Sequence, residues 1–149
     1  AVDGCSAPTY RMPLASLATA IARVATPDGL PEPRAAACRR MTAAVAAHPE
    51  LVAGTHRRLC TDLVRASAGR LFPKLGGEAV YVVGARGTGK ALAVKIDDGE
   101  LRGLSAVVVA LLERLGWLSE AEARALERWK SPRIENWAGR VTGRLEVAP

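Results

Sequence analysis

Three residues of this chain have the chemistry of a reaction site: Asp3, Cys5 and Lys74. Asp3 and Cys5 flank one glycine, and in an extended segment alternate side chains point the same way, so a carboxylate and a thiol can converge on one point. Ser6-Ala7-Pro8 then disfavours an immediate helix. Cys5 is open to three readings: a metal ligand for zinc, a nucleophile, or a small buried apolar residue. Burial is the default for a lone cysteine, and Asp3 beside it raises the metal reading, because a nearby carboxylate can ligate or orient a metal-bound water. A nucleophilic cysteine wants a histidine partner, and the two candidates, His48 and His56, read as solvated or capping residues at helix edges. Lys74 comes after Phe72-Pro73 and precedes Gly76-Gly77, where the backbone can run close to another group. A partly desolvated amine in such a position can take a proton from a hydroxyl nucleophile, but from the residues alone a solvated lysine on a loop is the favoured reading. No serine lies three residues before a lysine, so the nucleophile of a serine-lysine pair would have to come from elsewhere. A site usually draws on several elements, and nothing precedes Asp3 to supply them, so the chain is expected to be one piece of a larger fold.

Gly84-Ala85-Arg86-Gly87-Thr88-Gly89-Lys90-Ala91 nearly matches the phosphate-binding pattern G-x-x-x-x-G-K-[ST]. Ala91 lacks the hydroxyl that would hold magnesium. The loop should also open a helix whose N-terminus faces the phosphates. The stretch from Ala91 is instead short, β-branched at alternate positions and stopped by Asp98-Gly99. A glycine-rich hairpin turn is therefore the expectation, with a nucleotide-binding module as a rival.

The elements that must carry these residues can be read from periodicity. Leu14, Leu17, Ile21 and Val24 predict a helix opened by Pro13. A second helix is expected over residues 33–47, turning Met41 and Val45 inward, and a third around Leu59, Leu63 and Val64, ending near Gly69. Residues 50–55 read as a turn or a fragment of helix. Residues 74–78 form a glycine-rich approach to a strand over 79–83, 84–89 a turn, and 91–96 the returning strand. An apolar helix is expected over 101–115, and Ser119 with Glu120 and Glu122 predicts the capped start of another that runs to about Lys130. Residues 139–147 alternate as a half-buried strand, expected in the same sheet as the hairpin.

Composition limits the partners. At 149 residues a single domain is expected over 1–149, and 49% apolar with 24% charged residues is ordinary for a globular chain. No apolar run approaches the ~18 residues of a membrane span, so no membrane partner is expected. The formal charge of +6 is spread over scattered arginines without interleaved aromatics, which argues against nucleic acid. An odd number of cysteines, Cys5, Cys38 and Cys60, has no disulfide-scaffold spacing and points to a reducing, cytoplasmic setting.

Asp3-Gly4-Cys5-Ser6-Ala7-Pro8, Ala47-His48-Pro49-Glu50-Leu51-Val52-Ala53-Gly54, Lys74-Leu75-Gly76-Gly77-Glu78-Ala79-Val80-Tyr81 and Ala93-Val94-Lys95-Ile96-Asp97-Asp98-Gly99 occur in this order. Together they resemble the C-terminal half of the bacterial L-asparaginase II family of the rhizobial thermolabile type. Trp137-Ala138-Gly139-Arg140 resembles that family's closing segment, with tryptophan where the family has histidine, and Cys60 stands near a position that is often acidic. The resemblance implies an amidohydrolase with a serine β-lactamase-like fold, an α/β architecture with an antiparallel sheet flanked by helices, acting on L-asparagine. It implies that Lys74 pairs with a catalytic serine, that Cys5 is one zinc ligand, and that Asp3 is the carboxylate beside the metal-bound water. The serines and remaining zinc ligands would come from an N-terminal half, as a separate or cleaved chain, and a homodimer or other homo-oligomer is expected. A scaffold or binding protein without catalysis is the rival.

Overall fold

The computed structural model describes residues 2, 4 and 6–148. Asp3 and Cys5, and with them the expected metal ligand and its carboxylate, lie outside the described residues. The architecture is mixed α/β, a three-stranded antiparallel sheet with helices on both faces and a separate two-stranded ribbon near the C-terminus.

The sheet is built from β1 (Leu71–Leu75), β2 (Val80–Ala85) and β3 (Lys90–Lys95) in the order β1-β2-β3. Pairing brings Lys74 opposite Val82, Leu75 opposite Tyr81, and Gly84 between Phe72 and Ala91. The hairpin predicted from the glycine-rich loop is present, although Gly84 belongs to β2 and the turn begins after Ala85. Lys90 opens β3, so no helix N-terminus stands behind the loop to receive a phosphate.

β1 is a departure from expectation. Residues 74–78 read as a glycine-rich approach, yet Lys74 lies on a strand. Pro73 obscures it, because proline is rare inside sheets and is tolerated on an edge strand, which β1 is. The β1–β2 turn is strained. Val80 N–H donates to Gly77 C=O at 3.2 Å, and the two central residues, Glu78 and Ala79, both have positive φ, 48° and 53°. That is the conformation of a tight hairpin turn usually built from Asn or Gly.

One sheet face is covered by α1 (Leu14–Ala25). Its predicted stripe packs over β2 and β3. A Cβ on Gly84 would stand 2.6 Å from Cβ of Ala25 and 3.3 Å from the Ile21 carbonyl oxygen, so the close crossing requires glycine there. The other face meets α4 (Leu59–Ala66) and α5 (Leu104–Arg114). Leu63, Val108, Val109 and Leu112 close the core over Leu71, Tyr81 and Val83. α2 (Glu32–Ala47) packs against α1, α4 and β1. Its inward-facing residues are Ala35 and Thr42; Met41, expected inside, is 45% exposed, because this alanine-rich helix has no strong apolar stripe to fix its rotation. α3 (Glu50–Ala53) is the fragment of helix expected there.

The helix expected from Ser119 to Lys130 is two pieces, α6 (Glu120–Ala125) and α7 (Glu127–Lys130), broken at the fully buried Leu126. The N-cap at Ser119 is as predicted, and it is one half of a capping box, with Ser119 Oγ accepting from Glu122 N–H at 3.3 Å and the Glu122 carboxylate accepting from Ser119 N–H at 2.7 Å. The C-terminal strand, β5 (Val141–Arg144), does not join the main sheet. It pairs with β4 (Arg133–Glu135), and all four of its residues are exposed, against the half-buried strand expected. Among the described residues no helix is long and apolar enough to cross a membrane.

Candidate active-site cleft

Around Lys74 the chain forms a cleft of about 230 Å³. Its walls are Val52 of α3, the start of α4 with Arg58 and Cys60, and the sheet residues Lys74, Leu75 and Tyr81. Tertiary folding joins three chain stretches here that sequence patterns treat separately.

Each wall has a local cause. Pro49 starts α3 and Gly54 ends it at φ +101°, a conformation in which side chains are strained. The chain then re-enters a helix at Leu59, with Arg58 as an extended N-cap residue that offers no side-chain cap. Thr61, buried within α4, ties this connection down: its hydroxyl donates to Gly54 C=O at 2.7 Å and to Pro49 C=O at 3.3 Å. The Arg58 stem lies over Gly54, its Cγ and Nε 3.7 Å from the position of a Cβ there. Tyr81 and Leu75 oppose each other across the β1–β2 ladder and share a face, while Lys74 faces the other way with Val82.

Tyr81 O–H donates to Cys60 Sγ at 3.2 Å, and both residues are buried. Burial pushes the Tyr81 phenol well above its ordinary range, and the Cys60 thiol and Asp62 act in the same direction. Tyr81 is therefore a neutral hydrogen-bonding group at working pH. Lys74 is exposed, and its ammonium donates to the Leu75 carbonyl at 2.6 Å. The described residues thus do not supply the desolvation expected of a proton-accepting lysine. Lys95 likewise donates to the carbonyl of the residue that follows it, Ile96.

The acids nearest in sequence are already engaged. Asp62 accepts from Trp129 Nε1 at 2.6 Å and pairs with Arg128, while Glu50 lies 3.7 Å from both Arg65 and His48. His48 caps the end of α2 and His56 is exposed, as expected of solvated or capping residues at helix edges. Among the described residues no group of three His, Cys, Asp or Glu is placed to hold a metal ion. The described residues therefore do not themselves fit a zinc ion, and no step is derived through one.

Sequence reasoning points to Lys74 but misses Arg58 and Tyr81 as its neighbours. The available signal is the strand alternation that pairs Leu75 with Tyr81, and Pro73 hides it. Arg58 has no signal at all, since one basic residue in the run 55–58 looks like another.

The sequence model that describes L-asparaginase II matches residues 1–147 of this chain. No curated protein matches it.

Proposed function

The chain belongs to the L-asparaginase II family, and from that premise we propose that it forms part of an amidohydrolase that converts L-asparagine and water to L-aspartate and ammonia. The observation that carries this reading is the match over residues 1–147 together with Lys74 at the cleft it shares with Tyr81, Cys60 and Arg58. In this reading the chain is a part of a serine β-lactamase-like fold. An N-terminal segment supplies the serine, Lys74 takes its proton during attack on the carboxamide carbon, and the C–N bond breaks as that proton returns to the leaving ammonia; water then hydrolyses the serine ester, releasing L-aspartate and restoring the serine hydroxyl. Placing that segment over the cleft would withdraw Lys74 from water, which this chain alone does not do. Zinc held by Cys5, with Asp3 beside it, belongs to the same reading by family resemblance; the remaining ligands would come with the N-terminal segment, and no step is assigned to the metal.

The test is ammonia release from L-asparagine by this chain alone and after reassembly with the N-terminal segment. Activity is expected only after reassembly. Lys74→Ala should then lower kcat by roughly two orders of magnitude or more with an unchanged melting temperature, and Lys74→Arg should do no better, since guanidinium stays protonated. Near-normal turnover by Lys74→Arg would remove the proton-transfer role. No release from any carboxamide after reassembly would favour a binding scaffold without catalysis.

A further inference from the structure

We infer that the cleft beside Lys74 is a carboxylate-binding subsite in which Arg58 is the residue that holds the anion. As a subsite it rests on the hydrolase reading above, within which it takes the free carboxylate of the amide substrate; as a binding site it stands without it.

Four observations converge. The cleft is a half-open recess. Its volume of about 230 Å³ falls below the ~300–1,000 Å³ typical for drug-sized ligands, so it suits a ligand of a few heavy atoms. Among the described residues it is lined by two basic residues, Arg58 and Lys74, and by no Asp or Glu; the Lys74 ammonium is held on the Leu75 carbonyl. The carboxylates that could neutralise Arg58 from α3 and α4 are turned to other partners, Glu50 to Arg65 and His48, Asp62 to Arg128 and Trp129. Arg58 itself has no ion pair among the described residues, yet its stem is seated over Gly54 and the Gly54 carbonyl is fixed by buried Thr61. Arg58 is exposed, so its guanidinium can take a counter-charge from solution.

Guanidinium chemistry selects the ligand. A planar fork of donors matches a carboxylate bidentately, and its charge does not depend on working pH. A recess with one sign of charge also concentrates small anions at its mouth. Lys74 is committed to proton transfer in the hydrolase reading, which leaves Arg58 as the permanent charge. Tyr81, hydrogen-bonded to Cys60, and Val52 add no further Arg, Lys, Asp or Glu to the wall, so recognition falls on one group. A monocarboxylate carrying a carboxamide a few bonds away fits this division: the carboxylate on Arg58, the amide along the β1 edge of the cleft that Lys74 and Leu75 form.

Calorimetric titration of the chain with succinamate and with neutral succinamide tests this directly, because the two differ only in the carboxylate. Succinamate should bind at least ten-fold more tightly. Arg58→Gln should abolish that preference, and Arg58→Lys, a point charge without the fork, should keep part of it. Circular dichroism checks that each variant is folded; if Arg58→Gln is not, the wild-type ligand pair and Arg58→Lys still decide. Equal affinity for the two ligands, or a preference retained in Arg58→Gln, overturns the inference. So does inorganic phosphate binding more tightly than succinamate. A preference for succinamate in a reassembled protein that releases no ammonia would sink the hydrolase reading and leave the carboxylate site standing.

Discussion

The main sheet and the C-terminal ribbon are both antiparallel and both built from alternating sequence, yet one is the centre of the molecule and the other touches little but itself. In β2 five of six residues are buried, whereas β5 has none. Val83 and Val141 are the same residue type on paired strands, one fully buried and the other 55% exposed. The difference is what lies above and below. The sheet is covered by α1 on one face and by α4 and α5 on the other, while the ribbon is held by its own ladder and by Asn136, whose side chain accepts from Ala138 N–H and Arg140 N–H, both at 3.0 Å. Alternation thus marks a strand; burial has to come from partners.

Breaking the sheet should cost most. Leu71 of β1 is 1% exposed in the core, and Leu71→Ala should destabilise the chain by about 2–5 kcal/mol, measured by chemical denaturation. An unchanged midpoint would mean that the core can collapse around β1. The second largest effect is expected at the α1 crossing. Gly84→Ala adds a methyl 2.6 Å from Ala25 Cβ and should cost about 1–3 kcal/mol, because helix and strand must separate. Ala25→Gly in the same background should recover part of that loss, which a purely conformational effect at residue 84 would not allow.

The sheet is also tied to its surroundings by charge, as the ribbon is not. Arg70, just before β1, pairs with Glu122 at 2.9 Å and donates to the Trp117 carbonyl at 2.9 Å. Burial works to raise the Glu122 pKa, but hydrogen bonds from Ser119 and Arg70 outweigh it and hold the carboxylate below its ordinary value of 4.5. A depressed acid stabilises the fold above its unfolded value, and that contribution disappears as pH falls through the folded one. Glu122→Gln should therefore lower stability at neutral pH, and should flatten the loss of stability on acidification below about pH 4.5. Parallel stability curves for both proteins from pH 6 to pH 3 would show that Glu122 is not responsible. The smallest effect is expected in the ribbon. Trp137 stands wholly exposed at its turn, and Trp137→Ala should change stability by no more than about 0.5 kcal/mol. A larger loss would mean that the ribbon is packed in solution.

The hairpin across residues 80–95, the helix from Leu14, and the Ser119 cap are legible in the sequence because each depends on near neighbours. Spacing of apolar residues, glycine in a turn, and a serine three residues before a glutamate need no knowledge of the rest of the chain. Met41 and the 139–147 strand differ from expectation because periodicity shows that one face differs from another without saying which faces have partners. Lys74 stands out in the sequence but on the wrong element, since Pro73 argues against a strand everywhere except at an edge.

What the sequence determined by itself was therefore the local vocabulary: which segments are helix or strand, where they stop, and, through motifs in order, the family. Only the tertiary structure decided that Arg58 at the start of α4, Lys74 of β1 and Tyr81 of β2 share one cleft, and that Tyr81 reaches Cys60 across it. The physical reason is distance along the chain: Tyr81 and Cys60 are 21 positions apart. No helix or strand period relates such residues, and only the packing of α4 against the sheet brings them together.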